Sequence, residues 1–144
     1  NVAVFTATDD GWRTAAAFAK AGAPVAAVID ARREVPPTVR ALAGDAPVYL
    51  GARVLDATGR QTITGIEVIG DHGRRRIAVD GLAVSGGFNP DLALTTHLGH
   101  KPRWSEACAA FVPGELPAHV AVAGAAAGRF TLAEALADGV RLGA

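Results

Sequence analysis

Residues 2–30 read VAVFTATDDGWRTAAAFAKAGAPVAAVID, and the fold follows from how this stretch is divided. Val2 to Phe5 is a short apolar run that stops at Thr6-Ala7-Thr8-Asp9-Asp10-Gly11, and Trp12 to Ala21 is rich in alanine, with Trp12 and Phe18 as its bulky residues. That pattern reads strand, turn, helix. Thr8, Asp9 or Asp10 can accept from the helix's free N–H groups, and Gly22 can close it in the left-handed conformation. Val25 to Asp30 then runs apolar without a break and ends in a carboxylate, as a parallel strand covered on both faces does. Two parallel strands joined by a helix require a crossover, so residues 2–30 form a βαβ unit of right-handed sense.

Working outward, Pro36 to Ala43 opens a short helix, with proline tolerated in its first turn, and Val48 to Leu50 makes a third parallel strand. The period then changes. Arg53 to Leu55, Ile63 to Ile69 and Arg76 to Val79 are short alternating segments separated by turn residues, an antiparallel meander. Arg74-Arg75-Arg76 reads as the exposed start of its last strand. Leu82 to Ser85 returns to a buried apolar run before Gly86-Gly87-Phe88-Asn89-Pro90 ends it. Val120 to Val122 is expected as a last strand, and Phe130 to Leu142 as a helix with Leu132, Leu136 and Val140 on one face.

Composition narrows the function. The chain has 144 residues, of which half are apolar, and 14 basic residues balance 14 acidic ones. No basic run marks a nucleic-acid surface, and no apolar run approaches a membrane span. The single cysteine, Cys108, excludes a disulfide framework and a paired-thiol redox centre, which fits a reducing cytoplasm. His72, His97, His100 and His119 show no metal-ligand spacing. Ser85 and Ser105 lack the strained turn that exposes a nucleophile. Trp12, Trp104 and Phe111 are expected in the core.

Three places could hold a nucleotide. At the first βα turn the hydroxyls of Thr6 and Thr8 could partly replace the glycine N–H groups that usually meet a pyrophosphate, with Gly11 as the only glycine. Helix capping alone also explains Thr8 and Asp9. The adjacent Asp9 and Asp10 would repel phosphate, which shifts the expectation toward the later glycine-rich turn. Asp30, 19 residues after Gly11, stands where a carboxylate accepts from an adenosine ribose, and Arg32 and Arg33 beside it could instead receive a ribose phosphate. Gly86 and Gly87 permit close backbone approach to a ligand or a neighbouring loop. Gly124 to Gly128 with Arg129, between a strand and a helix, either packs the helix closely or aims its N-terminus at a phosphate.

The order of these segments resembles the two-dinucleotide-domain flavoproteins, in which a second nucleotide domain is inserted into the first. The resemblance implies an α/β, Rossmann-like FAD/NAD(P)-binding fold: a parallel βαβ sheet with an antiparallel β meander, three layers in ββα order. Residues 1–87 would be the inserted second dinucleotide-binding domain. Residues 88–144 would be the return segment completing the first, entered through Gly87-Phe88-Asn89-Pro90, in a fragment of a longer chain. Within that family the chain most resembles the α subunit of heterotetrameric sarcosine oxidase. The likeness runs through Val28-Ile29-Asp30-Ala31-Arg32, Leu82 to Gly87, Trp104-Ser105-Glu106-Ala107, Phe111-Val112-Pro113-Gly114 and Val122 to Phe130. It implies an NAD-associated subunit of a complex that oxidises sarcosine to glycine with O2, forms hydrogen peroxide and passes a one-carbon unit to tetrahydrofolate. Its partners would be the missing first domain, a flavin-carrying β subunit with FAD and FMN in or against it, and the other subunits of the heterotetramer. Gly124-Ala125 stands where the reductases carry Gly-Asp, which argues against direct FAD binding. The rival readings are an NAD(P)H-dependent reductase domain and a degenerate nucleotide domain kept for subunit contacts.

Overall fold

A computed structural model describes residues 1–71, 73–97, 99–108 and 110–143 of the chain, so His72 lies outside the described residues. The chain divides into two compact units, Asn1–Gly87 and Phe88–Ala144.

The first unit is built on a four-stranded parallel sheet. Its strands are β1 (Val2–Thr6), β2 (Val25–Asp30), β3 (Val48–Leu50) and β7 (Gly81–Ser85), in the order β3-β2-β1-β7. Between β1 and β2 lies α1 (Asp9–Lys20), and between β2 and β3 lie α2 (Pro37–Arg40) and a 3-10 turn over Ala41–Ala43. The strands β4 (Arg53–Gly59), β5 (Ile63–Gly70) and β6 (Gly73–Ile77) form the expected antiparallel meander, the last lying earlier than the Arg76 to Val79 expected, so that Arg74, Arg75 and Arg76 stand within it.

Side chains alternate across a strand, so each parallel strand serves two cores. Ala3, Ala27 and Ile29 face Ile66, Val68 and Val79 on the meander side. Val4 and Val28 face Trp12 and Ala15 of α1 on the other side. Meander, parallel sheet and helix are the three layers. Gly22, with φ of 82°, follows α1 as expected. β7 departs from the expected burial: it is an edge strand whose residues are at most partly buried, and its Val84 is 65% exposed.

The second unit holds α3 (Ala93–Thr96), the hairpin β8 (Arg103–Ser105) and β9 (Ala110–Val112), a 3-10 turn over Gly124–Ala127, and α4 (Leu132–Gly143). The strand expected at Val120–Val122 is not formed. A strand needs a neighbour to take its N–H and C=O groups, and the Val120 N–H instead closes a turn onto Pro117 O at 2.9 Å. Trp104 and Phe111, expected in the core, stack edge to face at 5.2 Å on the exposed side of the hairpin, where they are register partners. Leu132, Leu136 and Val140 do share one face of α4, and that face is 76%, 62% and 75% exposed. Among the described residues no helix is long and apolar enough to cross a membrane.

Gly11 sets the contact between α1 and β1, because a Cβ there would fall 2.3 Å from Thr6 Cβ. Gly11→Ala therefore lowers stability by about 1–3 kcal/mol through overpacking, although alanine is the better helix former. The urea midpoint of the full-length protein measures it; an unchanged or raised midpoint refutes the close-packing role.

Candidate functional site

Thr6, Thr8, Asp30, Arg32, Gly86 and Gly87 lie at the carboxyl ends of β1, β2 and β7 or in the turns that follow them, and Gly11 lies in the first turn of α1 beside them. In open α/β sheets ligands bind outside this end. Register explains the gathering: Thr6 is opposite Asp30 on one side and Ser85 on the other. Gly87 adopts φ of 92°, and a Cβ on it would lie 2.8 Å from Thr8 Cγ2, so only glycine lets the end of β7 approach the first turn.

The two threonines differ. The Thr6 hydroxyl donates to Thr8 O at 2.9 Å and accepts from the Thr8 N–H at 3.0 Å, which consumes it in holding the turn. Thr8 is the N-cap of α1, yet its side chain makes no capping bond, and its buried Oγ1 has no hydrogen-bond partner among the described residues. An orphaned hydroxyl at a helix N-terminus is a donor in reserve, beside first-turn N–H groups without a side-chain cap.

Asp30 shares the face of Val28, which turns its side chain inward beneath α1, where it is 0% exposed. Its Oδ2 accepts from Trp12 Nε1 at 2.7 Å and from Arg32 Nη2 at 2.8 Å. Its Oδ1 accepts from the Arg32 backbone N–H at 2.8 Å. Arg32 also donates through Nη1 to Asp9 Oδ1 at 2.9 Å. The hydrogen bond to Asp30 and, after it, the bond to Asp9 raise the Arg32 pKa against the opposing effect of burial, so the guanidinium stays charged. Asp10 is engaged by Arg13 at 2.6 Å. Three carboxylates against two guanidiniums leave this cluster one negative charge, much less repulsive to an anion than the bare Asp9-Asp10 pair implied.

In the second unit, Gly124 (φ 63°) and Gly128 (φ 81°) bracket the 3-10 turn. The Gly124 N–H donates to Asp138 Oδ2 at 3.3 Å, Arg129 Nε lies 3.5 Å from the same oxygen, and Arg141 Nη2 donates to Asp138 Oδ1 at 2.8 Å. The donors expected to meet a phosphate here thus converge on a carboxylate of α4. Asp138 escaped the sequence reading, although its i,i+3 spacing from Arg141 was visible. The Arg141 hydrogen bond, the Gly124 N–H and the nearby arginine charges hold its carboxyl below the usual carboxylate range against desolvation. The four-residue turn offers no extended helix dipole. Among the described residues no group of His, Cys, Asp and Glu could hold a metal ion.

No family model matches the chain. Over 140 residues, 95% of its length, it is 41% identical to sarcosine oxidase subunit alpha of Rhizobium meliloti (strain 1021). Over 152 aligned residues, 99% of its length, it is 33% identical to the same subunit of Corynebacterium sp. (strain P-1). The chain spans 14% and 16% of the length of these two relatives. Among solved structures it is similar to thioredoxin reductase of T. acidophilum, with a TM-score of 0.73 at 17% identity over 96% of this chain and 48% of that one. It is also similar to the bacillithiol disulfide reductase of Bacillus cereus, with a TM-score of 0.66 at 22% identity over 88% of this chain and 42% of that one. At these identities the structures establish the α/β fold shared with flavoprotein reductases.

Arg32→Gln leaves Asp30 buried without its counterion and costs the full-length protein about 3 kcal/mol, at the low end for a broken buried pair because the guanidinium is itself partly exposed. Chemical denaturation reads the loss, and a change under about 0.5 kcal/mol, the level of an ordinary surface substitution, refutes the hub. For Asp138, a carboxyl more acidic folded than unfolded stabilises the fold above the unfolded value near pH ~4, and that stability is lost as pH falls through the folded value. The acid arm of the stability profile should therefore flatten in Asp138→Asn. An unchanged acid arm refutes the assignment.

Proposed function

From its similarity over nearly all of its length to a segment of sarcosine oxidase subunit alpha, we propose that this chain is the NAD-bearing, nucleotide-domain segment of a sarcosine oxidase-type amine oxidoreductase. The parent complex oxidises sarcosine to glycine with O2, yields hydrogen peroxide, and transfers the one-carbon unit to tetrahydrofolate. This segment supplies scaffold and cofactor contacts, and the amine-oxidising residues lie elsewhere in the complex.

The observation that carries the cofactor reading is the buried, unpartnered Thr8 Oγ1 at the N-terminus of α1. There the first-turn N–H groups and the helix dipole favour a pyrophosphate oxygen, and Gly86 has open space where a Cβ would stand. Thr8, Gly11, Gly86 and Gly87 would hold the pyrophosphate, with Thr6 shaping the turn. Bound NAD supplies a dinucleotide handle with a redox-active nicotinamide. Asp30 and Arg32 reach a ribose only if their mutual bonds are exchanged, so they contribute by fixing the turn. Gly124, Gly128 and Arg129 would meet a nucleotide only by exchange with Asp138. FAD and FMN are assigned to the rest of the complex.

Residues 1–87 are the inserted dinucleotide domain in this reading, and residues 88–144 return to the first. In support of that division, the large apolar residues Phe88, Leu94, Trp104, Phe111 and Phe130 and the α4 face all remain exposed in the second unit. So much apolar surface is ordinarily covered, and the missing first domain would cover it; the β subunit and other partners of the heterotetramer would bind elsewhere on the parent, in the cytoplasm. A degenerate, contact-only domain is the second reading, favoured by the saturation of Asp30.

Thr8→Val separates the two. It keeps shape and removes the hydroxyl, so the full-length protein should lose about tenfold in affinity for NAD if Thr8 donates to it. Nucleotide released on denaturation and quantified by chromatography gives the content of each protein. Wild-type protein without NAD, or a variant with undiminished affinity, overturns the assignment.

A further inference from the structure

The first unit carries a second concave feature, which shares no residue with the Thr6–Gly11 turn, Asp30 or Arg32. A cleft of ≈270 Å³ opens beside β3; Tyr49, Leu50 and Val68 give it an apolar floor, and Arg33, Arg40 and Arg75 line it. These arginines come from the loop after β2, the end of α2, and β6.

Arg75 is the informative one. It is the register partner of Val68, which is buried against the parallel sheet. Alternation therefore puts Arg75 on the face that Ile66, Val68 and Ile77 use for packing. Arg74 and Arg76 take the opposite face, where Arg74 lies 3.3 Å from Glu67. A sheet edge can carry an inward charge simply to discourage pairing, but that accounts for Arg75 alone and not for Arg33 and Arg40 converging from other elements.

The charge is unbalanced. Arg33 has Asp71 at 3.5 Å, while Arg40 and Arg75 have no carboxylate within ion-pair distance among the described residues. Three guanidiniums against one carboxylate leave two positive charges over an apolar floor. Guanidinium forks match phosphate oxygens, and a phosphate monoester carries close to two negative charges at neutral pH.

We propose that this cleft binds a small phosphate monoester bearing a flat apolar group, with the phosphate between Arg40 and Arg75 and the ring over Tyr49 and Leu50. The volume lies just below the range usual for pockets of drug-sized molecules and suits a smaller ligand. The site is independent of the NAD reading, because its residues and its ligand are different.

Titration calorimetry of the full-length protein, saturated with NAD, against phenyl phosphate tests the proposal. Saturable binding is expected, weakened about tenfold in the Arg40→Gln/Arg75→Gln double variant and about twofold or less in Arg74→Gln/Arg76→Gln, which removes the same charge from the outer face. Inorganic phosphate should bind about tenfold more weakly than phenyl phosphate, because it leaves the apolar floor uncovered. No saturable binding, equal loss in both double variants, or equal affinity for the two phosphates overturns it. All four substituted arginines are exposed, so both variants should fold, and matching thermal midpoints confirm that.

Discussion

A carboxylate removed from water must find donors for both its oxygens, and Asp30 meets that demand in a way that organises the first unit. Trp12 donates from the first turn of α1, while Arg32 donates from the loop that leaves β2 and reaches on to Asp9. One buried charge thus ties together a strand end, a helix start and a loop. Removing either side of such a pair leaves an uncompensated charge, which is why its geometry is tightly held. Beside this hub the βα turn is held by the Thr6 hydroxyl and carries the Thr8 hydroxyl, which has no partner among the described residues.

The parallel sheet has two working faces because the strand period is two. Toward α1 it presents Val4, Val28 and Asp30, and the nucleotide-like turn lies at that end. Toward the meander it presents Ala3, Ala27 and Ile29, and at the open β3 edge of this layer stands the arginine-lined cleft. Thr8 serves the first feature and Arg75 the second.

Much of this was legible in the chain. The apolar runs at 2–5 and 25–30, the alanine-rich segment between them and Gly22 fixed the βαβ unit, because each is a local signal with a local physical cause. Other local signals were present and unread. Thr131 and Glu134 form a reciprocal capping box at the start of α4, with the Glu134 N–H donating to Thr131 Oγ1 and the Thr131 N–H to Glu134 Oε2, each at 3.3 Å, and this places the helix start later than Phe130. Val120–Val122 shows the opposite limit: its β-rich composition describes a strand only where another strand pairs with it.

By itself, then, the sequence determined the elements whose causes lie within a few residues, and its resemblance to a known family implied the three-layer α/β order. Only the tertiary structure decided that Thr6, Thr8, Gly11, Asp30 and Gly87 gather at one end of the sheet, and what they do there. Whether Asp30 faces a ligand or Trp12, whether Asp9 repels an anion or is neutralised by Arg32, and whether Arg129 meets Asp138 depend on partners far away in sequence. Hydrogen bonds and ion pairs are short-ranged and directional, so their pairing is settled when the chain has folded and is not written in the spacing of the residues along it.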